Sequence, residues 1–214
     1  MSMLLKKHIF KVKPVMLSLF FLFICTVKIE AYRDNEIDNL KPHYNQIEGL
    51  EYNYESMIEV DSDNNEKVLK LYKYMSLIPN NVINEFAENG GKIVLTHDSL
   101  QDRFISKYAL AGVYFDKTIY LSDEENWSEQ SLIHEMGHFI SDLYNDTSDS
   151  VFLDIYANEK NYLKLNSDKD INYYIKNSDE YFAQCFEEFI INPDRLLKNN
   201  FRTYKYIRFC INRV

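Results

Sequence analysis

Residues 131–142 read SLIHEMGHFISD, and they hold two of the five histidines in a chain of 214 residues. His134 and His138 are four apart, so on a helix they stand one turn above each other on one face and can aim both imidazoles at one point. A zinc ion at that point takes nitrogens at about 2.0–2.1 Å. Glu135 projects beside them, suited to take a proton from water held at such an ion. Gly137 is costly in mid-helix, about 0.8–1.0 kcal/mol against alanine, and so invites a steric reason such as a neighbouring element packed on its backbone. Leu132, Ile133, Met136, Phe139, Ile140 and Leu143 recur around the pair at helical spacing, and a surface helix with two incidental histidines fits that pattern poorly.

A catalytic zinc site needs a third protein ligand and an open position for water. After His138 the chain continues FISDLY, without the glycine and third histidine of the metzincin pattern, and no histidine follows. A carboxylate is therefore expected, and Asp142, Asp154, Glu159, Glu180 and Glu187 are the candidates. Glu159, in YANEKNY, lies 21 residues after His138 and resembles a thermolysin-type third ligand. Glu180 opens EYFAQCF, where it shares one helical face with Ala183, Gln184 and Glu187. The residues alone leave both open.

The elements that would carry these groups read as helices, then a small sheet, then helices: an α+β class. DSDNNE (61–66) fails as a calcium loop, because Glu66 and Tyr72 stand where the glycine and the twelfth-position glutamate are needed. It reads instead as the start of a helix running toward Pro79, with Val68, Leu69, Leu71, Tyr72 and Met75 apolar. Asn80 or Asn81 is expected to cap a second helix that Gly90-Gly91 ends. KIVLTH (92–97) and AGVYFDKTIYLS (111–122) read as strands, the latter a hairpin around Asp116-Lys117. Asn126 with Glu129 forms a capping pattern for a helix over 127–144. Two to four helices follow, the clearest over 178–190 and stopped by Asn192-Pro193.

Residues 1–31 read as an export signal: Lys6, Lys7, Lys11 and Lys13 precede the apolar run VMLSLFFLFICTV (15–27), and Ala31 suits cleavage. Thirteen apolar residues are too few to cross a bilayer, which takes about 20. Ile24 before Cys25 disfavours lipidation. Without this segment 183 residues remain, one domain in length, with 19 basic and 32 acidic residues for a net charge of −13. That balance argues against nucleic acid or an anionic membrane as partner. Cys185 and Cys210 are expected as buried thiols, with a bridge between them left open. The expectation is a secreted, monomeric domain over 32–214, helical over 32–90, with the sheet and active helix over 91–145 and a helical part over 146–214.

His134-Glu135-Met136-Gly137-His138 followed by DEYFAQCF resembles the anthrax lethal factor-like metallopeptidases, and within them the small secreted Pro-Pro endopeptidases. The resemblance covers roughly residues 90–192 and implies a zincin-like fold. It implies Zn2+ held by His134, His138 and Glu180, with Glu135 as general base and Tyr173 lining the site. Gln184 departs from it, since the family has a second glutamate there. The implied substrate is a proline-rich secreted or surface protein; Gly112 to Phe115 is the candidate edge strand for an extended peptide, and Trp127 and the tyrosines are unassigned candidates for the pocket lining. A toxin-like peptidase aimed at a host protein, a non-catalytic binding module and a closed structural zinc site are the rivals. The intact Glu135 argues against the second, and the two-histidine, one-carboxylate set against the third.

Overall fold

The computed structural model describes residues 56–124, 128–165 and 169–214. The signal at 1–31, the stretch 32–55, the cap at Asn126 and the proposed pocket residue Trp127 lie outside the described residues, as does the side chain of Glu129.

Among the described residues, four strands make one mixed sheet in the order β1-β2-β4-β3. β1 (Ile58–Asp61) runs parallel to β2 (Lys92–Thr96), with Ile58 opposite Ile93. β4 (Thr118–Ser122) is parallel to β2 on its other side, with Ile93 opposite Ile119. β3 (Gly112–Phe115) pairs antiparallel with β4 and forms the outer edge. Asp116 and Lys117 join them, both at positive φ of 48° and 60°. A two-residue turn of that kind matches the right-handed twist of the flanking strands, so the expected hairpin closes tightly. β1 corrects the reading of 32–90 as helical: residues 58–61 are a strand, bonded to a partner more than thirty residues away.

α1 (Asn65–Met75) is capped by Asn64, whose side chain accepts the Lys67 N–H at 3.2 Å, and it stops four residues before Pro79. α2 (Asn80–Glu88) corrects the capping expectation. Neither asparagine caps it; Pro79 holds that position, and the Asn81 amide donates instead to the Ile211 carbonyl at 2.6 Å. After the short α3 (Leu100–Arg103) comes α4 (Ser128–Tyr144), the helix of the HEMGH motif. Then follow α5 (Ser150–Glu159), the four-residue α6 (Ile171–Tyr174), α7 (Ser178–Ile191), α8 (Pro193–Asn199) and α9 (Phe201–Arg213). Among the described residues that is five helices beyond α4, against the two to four expected. Among the described residues no helix is long and apolar enough to cross a membrane.

The core lies where α4 packs on the sheet and on α7. Leu132, Ile133, Met136, Phe139 and Ile140 of α4 are buried, as are Phe182, Ala183, Phe186 and Phe189 of α7. Gly137 is the point of closest approach. A Cβ there would lie 2.8 Å from the Ala183 Cα and 3.0 Å from the Phe186 Cβ. The steric reason sought for this glycine is thus α7 itself. Gly137→Ala gains about 0.8–1.0 kcal/mol of helix propensity, but separating two packed backbones costs about 1–3 kcal/mol. Denaturant melts are expected to show a net loss of stability, together with weaker metal binding as His138 and Glu180 are pushed apart.

Candidate metal centre

Three side chains converge where α4 meets α7. The ligand atoms of His134, His138 and Glu180 all lie within 4.8 Å of one another, the one such group among the described residues. His134 Nε2 and Glu180 Oε2 are 3.3 Å apart. Two ligands of a tetrahedral zinc, each at about 2.0–2.1 Å, lie about 3.3–3.4 Å apart, so this pair already has the spacing of a metal edge. Glu180 Oε2 is buried and accepts no hydrogen bond. A buried carboxylate oxygen without a donor is costly unless a cation faces it. The residues therefore fit a metal ion.

Local structure explains why Glu180 can hold this place. Asn177 caps α7 by accepting the Glu180 N–H at 2.8 Å. Glu180 sits in the first turn of α7, where the helix dipole favours an anion. Burial opposes its ionisation, but His134, His138 and Lys176 outweigh it and bring the carboxyl down to about 2. Burial, with His134 adding to it, lowers His138 to about 4, so that imidazole is neutral and free to ligate. For His134, burial works against the proton, yet Glu180, Glu135 and Glu187 prevail and raise its pKa. Of the two imidazoles, His134 is the one that holds its proton against metal entry. Calorimetry in buffers of different ionisation enthalpy, near pH 6.5, is expected to record net proton release on zinc binding, because the metal takes only the neutral imidazole.

Glu135, next to His134 on the same helix turn, reaches β3. The Tyr114 N–H donates to Glu135 Oε2 at 2.8 Å. Gly112 permits this approach, since a Cβ there would lie 3.1 Å from both Cγ and Oε1 of Glu135. Burial pushes the Glu135 carboxyl up to about 7, against the pull of His134 and the Tyr114 N–H. A carboxylate poised near neutrality suits proton transfer at physiological pH.

The two tyrosines of α6 close the site. The Tyr173 O–H donates to Glu180 Oε1 at 3.2 Å, and Tyr173 is 37% exposed. Burial and the nearby carboxylates raise its pKa, so it is a donor at all ordinary pH. Tyr174 lies edge-on to His134, ring centroids 5.6 Å apart. The two tyrosines therefore divide the work: Tyr173 presents its hydroxyl to the ligand set, while Tyr174 packs on it. Lys169 pins the start of this segment through an ion pair with buried Glu187 and a 3.5 Å contact to Gln184 Oε1. The Tyr156 O–H holds its end by donating to the Ile175 carbonyl at 2.8 Å.

The other carboxylates are occupied elsewhere. Glu159 accepts from the backbone N–H groups of Arg202 and Thr203 at 3.0 and 2.9 Å, capping α9 from the end of α5. Asp154 pairs with Arg202, and Asp142 accepts from the Tyr114 O–H at 3.4 Å. Cys185 and Cys210 are buried as separate thiols, both raised in pKa by burial. Asn177, Lys169 and Lys176 escaped the sequence reading. Asn177 alone carried a signal, as the asparagine three residues before a glutamate at a helix start.

Residues 117–209 match the family described as "Anthrax toxin lethal factor, N- and C-terminal domain". Among solved structures, the Pro-Pro endopeptidase PPEP-2 from Paenibacillus alvei superposes with a TM-score of 0.58 at 16% sequence identity. The likeness covers 72% of this chain and 97% of that one, and it shows a shared α+β fold. No curated protein sequence matches the chain.

Proposed function

We propose, from the match of residues 117–209 to the anthrax lethal factor family and the geometry of the three ligands, that the chain is a secreted zinc-dependent endopeptidase. The observation that carries this reading is the orphaned Glu180 Oε2 set at a metal edge from His134, with Glu135 one residue away and poised near pH 7. His134, His138 and Glu180 would hold the ion, whose Lewis acidity makes water a nucleophile near neutral pH. Glu135 accepts the proton of that water as it attacks the peptide carbonyl, then passes it to the leaving nitrogen. Tyr173 turns its hydroxyl to the carbonyl oxygen as negative charge gathers there.

β3 supplies the track for the substrate. Residues of an antiparallel edge strand alternately bond their partner and face outward. The Ser122 N–H bonds the Ala111 carbonyl, which leaves Gly112 and Tyr114 facing out, and the Tyr114 N–H indeed reaches Glu135. An extended peptide adding to this edge would bring its backbone past Glu135. The structural neighbour is a Pro-Pro endopeptidase, and we extend that preference for proline on both sides of the cut to this chain, with proline-rich extracellular proteins as substrates. Peptide libraries fixed at Pro-Pro or randomised at both positions test the extension. Cleavage confined to the Pro-Pro library is expected. Cleavage of the randomised library alone would leave a peptidase of other specificity.

A further inference from the structure

Glu180 has two oxygens, and the structure treats them differently. Oε2 is buried, accepts nothing and faces His134. Oε1 accepts the Tyr173 O–H at 3.2 Å and lies 3.4 Å from the Lys176 ammonium. The same ammonium sits 3.6 Å above the centre of the Tyr173 ring, the shortest cation–ring contact among the described residues. Lys176 is four residues before Glu180, in the turn between α6 and α7, so one side chain spans the tyrosine and the ligand together.

One hydroxyl proton cannot serve both Glu180 and a substrate carbonyl. Once Tyr173 turns to the substrate, Oε1 loses that donor. An untethered carboxylate is then free to rotate and bring both oxygens to the metal, filling the position a catalytic site keeps open for water. We propose that Lys176 is a positioning residue that holds Glu180 Oε1 away from the metal, keeping the carboxylate one-handed while Tyr173 is released to the reaction. The ammonium needs no rearrangement for this, because it already touches both partners. The inference rests on the peptidase reading, but its first test does not use catalysis.

The experiment measures zinc affinity by chelator competition for wild type, Lys176→Met, Lys176→Arg, Tyr173→Phe and the double variant Tyr173→Phe/Lys176→Met. Lys176→Met keeps the stem and removes the charge, and about tenfold tighter binding is expected, because the freed carboxylate closes on the ion with both oxygens and the ammonium no longer repels it. Lys176→Arg, which keeps a cation at Oε1, stays near wild type. The gain from Lys176→Met is larger in the Tyr173→Phe background, where Oε1 then keeps no donor. In peptide assays Lys176→Met lowers kcat more than it raises KM. Three outcomes overturn the inference: zinc affinity of Lys176→Met within about twofold of wild type or weaker in both backgrounds, an arginine that shifts affinity as far as methionine does, or a kcat left unchanged. Failure of wild type to cut any peptide would overturn the peptidase reading instead and leave the zinc comparison standing.

Discussion

Glu135→Gln is expected to lower turnover by about 10²–10⁴ while zinc stays bound at full stoichiometry. Glutamine keeps the size of the side chain and its acceptor toward the Tyr114 N–H, so β3 retains its 2.8 Å contact. It cannot take a proton. Glu135 is no part of the ligand group, whose three members are His134, His138 and Glu180. The separation of effects is the point: a general base is lost and the ion remains. Single-turnover cleavage with zinc content measured on the same samples checks it. A variant that loses its zinc in parallel with its activity would make Glu135 a structural support of the site.

The second large effect separates two carboxylates that look alike in the sequence. Glu180→Gln removes the one anionic ligand, and zinc affinity is expected to fall by more than the roughly 10–100-fold that loss of an outer partner costs. The protein folds, because Asn177 caps α7 through the Glu180 backbone rather than its side chain. Glu159→Ala does the reverse. It strips the start of α9 of the carboxylate that accepts from Arg202, Thr203 and the Thr203 hydroxyl, at a cost of about 0.5–2 kcal/mol in stability. Its zinc affinity should match wild type. Chelator competition and denaturant melts on the two variants read both quantities, and an exchange of the two phenotypes would assign the third ligand to Glu159.

What the sequence made legible follows from how local each signal is. The HEMGH helix, the Asp116-Lys117 hairpin and the helix from 178 rest on spacing within a few residues, and the structure has all three. Gly137 was legible as a demand for close packing, though not for which partner; Ala183 lies 46 positions away and meets it only through the fold. β1 was illegible for the same reason. Four residues, IEVD, mostly exposed, become a strand only by pairing with Lys92–Thr96. The choice between Glu159 and Glu180 turned on where α5 ends relative to α9, which no spacing encodes. Lys176 was hidden because its role depends on the short turn between two helices, where one lysine reads like any other.

Incubation of the purified protein with both the Pro-Pro and the randomised peptide libraries, before and after zinc removal and again after reloading, tests the central claim most directly. Cleavage by protein carrying one zinc per chain, lost on chelation and restored with the metal, is the predicted result. Full zinc occupancy at His134, His138 and Glu180 with no peptide cut under any condition would contradict it, and would make this a metal-holding module rather than an enzyme.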